Sequence, residues 1–324
     1  MDDSSGGCDT MSVRSRPGPG LVFVLLTTVA CLTACSRQGP IPAKGQGEGR
    51  KTIMVTYTIL GSLVSDLAGD SFDVKTLVPN GMDIHEWEPS ARDVEALMHA
   101  DLIVANGIGL EGGMEKTLGR ARDAGRPIFL ASDQLEVRRV GQGEGIPSGD
   151  PDQAIGAEDP HLWTDPLAMK AVVDALALDL KARFGVDLSS RATALDEKLL
   201  ALDAEIRDKV AALPRERRSI VTGHESMGWF AERYGFHLVG ALVPSLSTQA
   251  GASASWLASL KGLIATNGVK VIFTEVGTPR QVVDALARET GARAVPLATH
   301  VLPADGSYFT FERELAATVV AGLE

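Results

Sequence analysis

From Thr52 onward, short apolar runs alternate with stretches of helical periodicity. Residues 52–58, 72–78, 101–106 and 127–131 read as strands, and residues 60–68, 91–99 and 113–124 as the helices between them. The same alternation returns later. Residues 219–222, 236–243, 269–274 and 292–298 are strand-like, while 226–234, 253–267, 279–290 and 308–323 are helix-like. Apolar runs of this length separated by amphipathic helices predict βαβ units and parallel sheets. Between the two series lie a helical stretch, 165–184, and a second one, 188–213, with no strand close to it on either side. In the latter, Leu195, Leu199, Leu202, Ile206 and Val210 recur at helical spacing and Pro214 ends the pattern. The fold class expected is α/β: two Rossmann-like (βα)4 lobes with parallel sheets, residues 52–186 and 215–324, joined by one long interlobe helix over 187–214. On pattern alone, that stretch could also be a crossover helix inside one domain.

The first fifty residues follow a different pattern. A polar start with Arg14 and Arg16 precedes an apolar run over 21–34, too short for a comfortable membrane span. It has the form of a signal-peptide core. Leu32-Thr33-Ala34-Cys35 has the form of a lipobox, in which the cysteine becomes the lipid-bearing N-terminus. Residues 1–34 are therefore expected to be a lipoprotein signal peptide. Residues 35–51, rich in Gly, Pro and Gln, are expected to be a flexible tether. Of three cysteines, Cys8 and Cys31 leave with the peptide. That leaves no disulfide framework and no thiolate metal site. The expected location is outside the cytoplasmic membrane, anchored through Cys35. A net charge of −11 argues against a nucleic-acid partner.

Four of the six histidines sit in comparable places. His85 and His161 lie in loops after strand-like runs, and His224 and His300 directly at strand ends. The interval from His85 to His161 equals that from His224 to His300. Ligands of parallel α/β sheets bind outside the carboxyl ends of the strands, and four imidazoles close a tetrahedron around zinc. These four residues are the candidate first shell of a metal site between the lobes. Glu86, Glu225, Glu275 and Asp305 flank the set. Glu275 follows a strand, so it is a candidate to orient a histidine and offset the charge of a dication. His99 and His237 read as structural. Gly107-Ile-Gly109-Leu-Glu111-Gly112 matches the dinucleotide fingerprint, but Glu111 would stand where pyrophosphate must bind. The expected reading is a tight strand-to-helix turn.

The residues also carry a resemblance. Gly81-Met-Asp-Ile-His85-Glu-Trp-Glu-Pro-Ser-Ala-Arg-Asp93, the run from Ala100 to Glu111, Asp159-Pro-His161-Leu-Trp-Thr-Asp-Pro166, Thr222-Gly-His224, Phe273-Thr-Glu275 and Gly306-Ser-Tyr308 resemble the zinc/manganese substrate-binding lipoproteins of bacterial ABC transporters. The likeness runs from about Ile53 to the end. It implies two lobes on a rigid helix with metal between them, and places His85, His161 and His224 on the first three ligand positions. Manganese-selective members tend to carry a carboxylate at the third position, so His224 leans towards zinc. Many members have an aspartate as fourth ligand shortly before the Gly-Ser-Tyr stretch. Here either His300 or Asp305 could serve. No histidine-rich loop is present in residues 140–159.

The function expected is capture of Zn²⁺ by a monomeric extracytoplasmic receptor that hands it to the permease of an ABC importer, with no enzymatic chemistry. One alternative is the same receptor tuned to Mn²⁺. Another, from a different class, is a secreted zinc metallohydrolase with three histidines, an open water position and Glu275 as base. No His-Glu-x-x-His helix supports it.

Overall fold

The structure, a computed structural model, describes residues 49–141, 144 and 155–324. The expected signal peptide, Cys35 and nearly all of the tether lie outside the described residues, as does most of the loop over 140–159.

Two four-stranded parallel sheets organise the chain. In the first, β1 (Thr52–Val55) pairs with β2 (Asp73–Thr76) on one side and β3 (Leu102–Ala105) on the other, and β4 (Ile128–Leu130) lies beyond β3. The order is β2-β1-β3-β4. The second sheet, of β5 (Ser219–Thr222), β6 (His237–Ala241), β7 (Val271–Thr274) and β8 (Arg293–Pro296), repeats that order as β6-β5-β7-β8. β3 is buried along its whole length, as the inner strand of a sheet covered on both faces should be. The β2 ladder runs on past its assigned end, because Leu77 N donates to Val55 O and Val78 N to Thr56 O.

The covering helices in the first lobe are α1 (Thr58–Ala68), α2 (Ala91–His99), α3 (Glu115–Asp123) and α4 (Pro166–Phe184). Local chemistry sets their starts. Ser90 and Asp93 form a capping box at α2, and Asp165 caps α4 ahead of Pro166. α3 begins later than the pattern predicts, because Gly112–Met114 forms a 3₁₀ turn first. In the second lobe α6 (Gly228–Tyr234), α7 (Ala254–Thr266), α8 (Arg280–Thr290) and α9 (Tyr308–Leu323) follow β5, β6, β7 and β8. Ser253 and Ser307 cap α7 and α9.

The long stretch between the lobes is α5 (Ser189–Ala211), one continuous helix. It packs on α4 and α1 of the first lobe and on α9 and α6 of the second. Leu195, Leu199, Leu202, Ile206 and Val210 are all buried, so the predicted stripe is its core face. The main apolar core runs through both lobes along this face, and a smaller one lies under α7 and α8.

Because Leu202 is fully buried while Leu200 is 49 % exposed, Leu202→Ala should cost about 2–5 kcal/mol. Leu200→Ala should cost far less. Urea unfolding of the two variants checks this, and equal losses would mean that α5 is not held by its stripe.

Candidate metal centre

The four histidines predicted as ligands meet. One ring nitrogen from each of His85, His161, His224 and His300 lies within 4.8 Å of the others, and all four residues are buried. They reach this point by different routes. His85 stands in a turn beyond β2, where its N–H donates to Asp83 Oδ1 at 2.9 Å. Gly113 N and Gln249 Nε2 both donate to its carbonyl. His161 opens the 3₁₀ turn Leu162–Thr164 ahead of α4. His224 comes two residues after β5, and His300 four after β8.

Two carboxylates fix two of the rings. Asp159 Oδ1 accepts from both the backbone N–H of His161 (3.0 Å) and its Nδ1 (2.9 Å). Glu275 Oε2 does the same for His224, at 2.9 and 2.8 Å. A carboxylate can only accept here, so each Nδ1 carries the proton and each Nε2 is left with a bare lone pair. Those lone pairs converge. His161 Nε2 lies 3.3 Å from His85 Nε2 and 3.2 Å from His224 Nε2. The edge of a tetrahedron of nitrogens about a zinc ion is about 3.3–3.4 Å for Zn–N near 2.0–2.1 Å. His300 Nδ1 pairs with Thr299 Oγ1 at 2.8 Å, while its Nε2 is buried with no partner. A buried polar nitrogen without a partner costs free energy, and a cation at this point would satisfy all four nitrogens.

The electrostatics agree with that reading. Burial first, then its three neighbouring imidazoles, hold His85 well below the ordinary histidine value, and His300 is depressed likewise by burial, His224 and His161. Burial also lowers His161, against the pull of Asp159. Burial would lower His224 too, but the Glu275 carboxylate against its Nδ1 outweighs it and raises the ring. Glu275 itself, despite burial, is drawn down to about 2, chiefly by His224. The pocket is thus three neutral rings and one ring poised beside a fixed negative charge. Glu225 is buried one residue away, but burial and then Asp159 push its carboxyl up to about 7, so it is a poor counter-charge.

The carboxylates are held in turn. Arg138 Nη1 donates to Asp159 Oδ2 at 3.0 Å, and the same guanidinium meets Glu144 and, 3.0 Å away, Glu232 of α6. Gly228 lies against this pair, where a Cβ would stand 2.1 Å from Asp159 Oδ2. Trp229 Nε1 donates to Asp159 O. On the other side, Thr278 and Ser226 bracket Glu275, and a Cβ on Gly223 would lie 2.9 Å from Glu275 Oε2. Sequence reasoning missed Asp159 and Arg138. The signal for the former was available, because Asp83-Ile-His85 and Asp159-Pro-His161 share one Asp-x-His spacing, and in both the aspartate accepts from the histidine N–H.

Other candidates fall outside the cluster. Asp305 is exposed, and its carboxylate accepts from Ser307 N and Thr310 Oγ1 at the start of α9. Among the two fourth-ligand candidates, the structure brings only His300 to the other rings. Glu86, His99 and His237 are exposed. The glycine-rich turn is closed to phosphate, since the Glu111 carboxylate takes the Asn106 and Gly107 N–H groups and the Thr56 hydroxyl.

Comparison with known proteins agrees with this geometry. The family described as zinc-uptake complex component A, periplasmic, matches residues 53–322. The zinc-binding protein TroA of Treponema pallidum is 31% identical over 271 residues, 81% of this chain and 80% of that protein. Its solved structure, described as a periplasmic zinc binding protein, superposes with a TM-score of 0.74 at 27% identity, covering 85% of this chain and 99% of the other. The manganese-binding lipoprotein MntA of Halalkalibacterium halodurans is 24% identical over 309 residues, 93% of this chain and 97% of that one. The iron-binding protein YfeA of Yersinia pestis is 27% identical over 244 residues, 74% of each chain.

If the Glu275 charge is what raises His224, then Glu275→Gln, which keeps an acceptor oxygen but removes the charge, should lower the His224 pKa. Burial would then act against only the weaker pull of Asp83 and Glu225. Proton NMR titration of the metal-free protein reads this directly. An unmoved His224 would refute the assignment.

Proposed function

We propose that this chain, which belongs to the family of periplasmic zinc-uptake component A proteins, captures Zn²⁺ between its lobes and delivers it to the permease of an ABC importer. That it is a metal-binding receptor of an ABC importer and not an enzyme follows from the family. The ion is the further step, because its relatives are named for zinc, manganese and iron.

The observation that carries zinc is the donor set of His85, His161, His224 and His300: four converging imidazole nitrogens, with no carboxylate among them in the described residues. Manganese favours carboxylate and water oxygens, and at nitrogen sites both manganese and iron rank below zinc. Copper and nickel rank with or above zinc at such sites, so a tetrahedral cage is what favours zinc over their tetragonal preferences. The buried acids Asp159 and Glu275 sit one bond network out from the ion. They orient His161 and His224 and place negative charge near a dication held by neutral rings. The Mn²⁺ alternative would want an oxygen donor in the first shell. Asp305 is turned into α9 and Glu275 is already bound to His224 and Ser226. The metallohydrolase alternative finds no support in the family, and His300 takes the corner that an attacking water would need.

The site draws on both halves of the chain, so losing one ligand should leave a split, incomplete shell. His224→Ala and His85→Ala should each lower zinc affinity by orders of magnitude, while Asp305→Ala should change it little. Metal competition followed by elemental analysis decides the ion. Preferential uptake of manganese or iron(II) over zinc at matched concentrations would overturn the assignment.

The same reading gives the protein a place outside the cytoplasmic membrane, as a monomer tethered by residues 35–51 and anchored by lipid on Cys35. One acyl chain anchors only marginally, so the modification must carry several. Cys35→Ser should shift the protein from the membrane fraction to the soluble fraction after export. Unchanged retention in the membrane would refute the anchor.

A further inference from the structure

We propose that Asn80 is a positioning residue for His300, and that the first lobe rather than the second carries this fourth imidazole. The proposal rests on the reading of the four histidines as a zinc site. By sequence, His300 belongs to the second lobe, four residues beyond β8. The last backbone bond joining this stretch to the second sheet is Leu297 N to Thr274 O, at 2.7 Å. After it the attachments change sides. Trp163 Nε1 donates to Thr299 O at 2.9 Å. Asn80 grips both backbone groups of Leu302: its Nδ2 donates to the carbonyl at 2.9 Å, and its Oδ1 accepts from the N–H at 2.8 Å. Ser62 Oγ donates to Gly306 O at 2.8 Å and accepts from Tyr308 N at 3.0 Å. Tyr308 OH donates to Trp163 O at 2.9 Å. Among the described residues, every hydrogen bond leaving residues 298–308, apart from those into the α9 turn that follows, ends on Ser62, Asn80 or Trp163 of the first lobe.

The clamp answers a need that His161 and His224 do not share with His300. His161 and His224 are each oriented by a carboxylate on Nδ1, whereas His300 Nδ1 has only the hydroxyl of its own neighbour, Thr299. Its ring also packs 5.2 Å from Trp163, another first-lobe side chain. Fixing the backbone at Thr299 and Leu302, on either side of His300, sets the ring's position where no acid does. The mechanical division of the site is therefore three to one. His85, His161 and His300 travel with the first lobe, and His224, held by Glu275, is the one ligand that belongs wholly to the second. Any separation of the lobes opens the shell at His224.

The test is a double-mutant cycle read by zinc competition against a chromogenic chelator. Asn80→Ala should weaken zinc binding about tenfold, the lower end of what outer-shell supports contribute. In a His300→Ala background it should cause no further loss. Equal losses in both backgrounds, or none in either, would overturn the positioning role. Hydrogen exchange on the metal-free protein tests the carriage itself. The Leu302 and Tyr308 amides should stay protected without metal, and Asn80→Ala should free Leu302 while leaving Leu297 protected. Unprotected Leu302 in the metal-free parent protein would overturn the three-to-one division. His85→Ala is the separate control: if zinc binding survives it, the metal-site reading has failed, whereas the exchange result still judges the clamp.

Discussion

Four imidazole nitrogens brought together in a buried pocket repel one another unless something positive sits among them. The protein makes the problem sharper. It places a carboxylate on Nδ1 of His161 and of His224, which forces both Nε2 lone pairs inward to 3.2–3.3 Å from their neighbours. Burial then keeps His85 and His300 from relieving the repulsion by taking up protons. A site built this way is matched to a cation, which satisfies the converging nitrogens without any catalytic step. The cost is borne by the surrounding structure, through Arg138 on Asp159 and through Ser226 and Thr278 around Glu275.

The sheet order explains why these groups can converge at all. In each lobe the chain leaves the first strand, adds one neighbour on one side, and then crosses to the other, so a crevice opens between the first and third strands at their carboxyl ends. His224 and Glu275 follow the two strands that flank this crevice in the second sheet. In the first lobe the equivalent crevice is filled by Glu111, bonded to Asn106 and, after β1, to Thr56. Asn106 in turn accepts from Tyr57 OH and donates to Pro160 O, so it steadies the backbone just before His161. One lobe uses its crevice for His224 and its acid partner Glu275. The other fills it with a carboxylate that supports the loop bearing His161.

Much of this was legible in the sequence, for reasons that can be named. The strands and helices announce themselves because the inner strands β1, β3, β5 and β7 are apolar over half or more of their length and the helices carry a buried stripe, as Leu195 to Val210 do. The four histidines were legible because each follows a strand-like run. The choice between His300 and Asp305 was not, since it turns on which of two polar side chains points inward over a five-residue span. Asp305 is spent at the N-terminus of α9, a local use that its neighbours Ser307 and Thr310 make intelligible only afterwards. Arg138 and Asn80 were invisible for a different reason. Their partners lie 21 and 222 residues away, and nothing in local composition marks a residue whose work is done at such range.

The distribution of contacts between the lobes bears on how a buried ion can be exchanged. The apolar core passes through both lobes along α5 and α9, so they cannot drift apart without exposing it. The bonds around the site are of another kind. Gln249 to the His85 carbonyl, Trp229 to the Asp159 carbonyl and Arg138 to Glu232 are polar, and water can replace each of them once a separation admits it. Apolar burial resists separation in proportion to area, whereas a hydrogen bond at the rim resists only until water can take its place. A separation of the lobes would therefore begin on the metal side rather than along α5. With Leu302, Gly306 and Tyr308 bonded to Asn80 and Ser62 of the first lobe, it would draw the His224 nitrogen away from the other three.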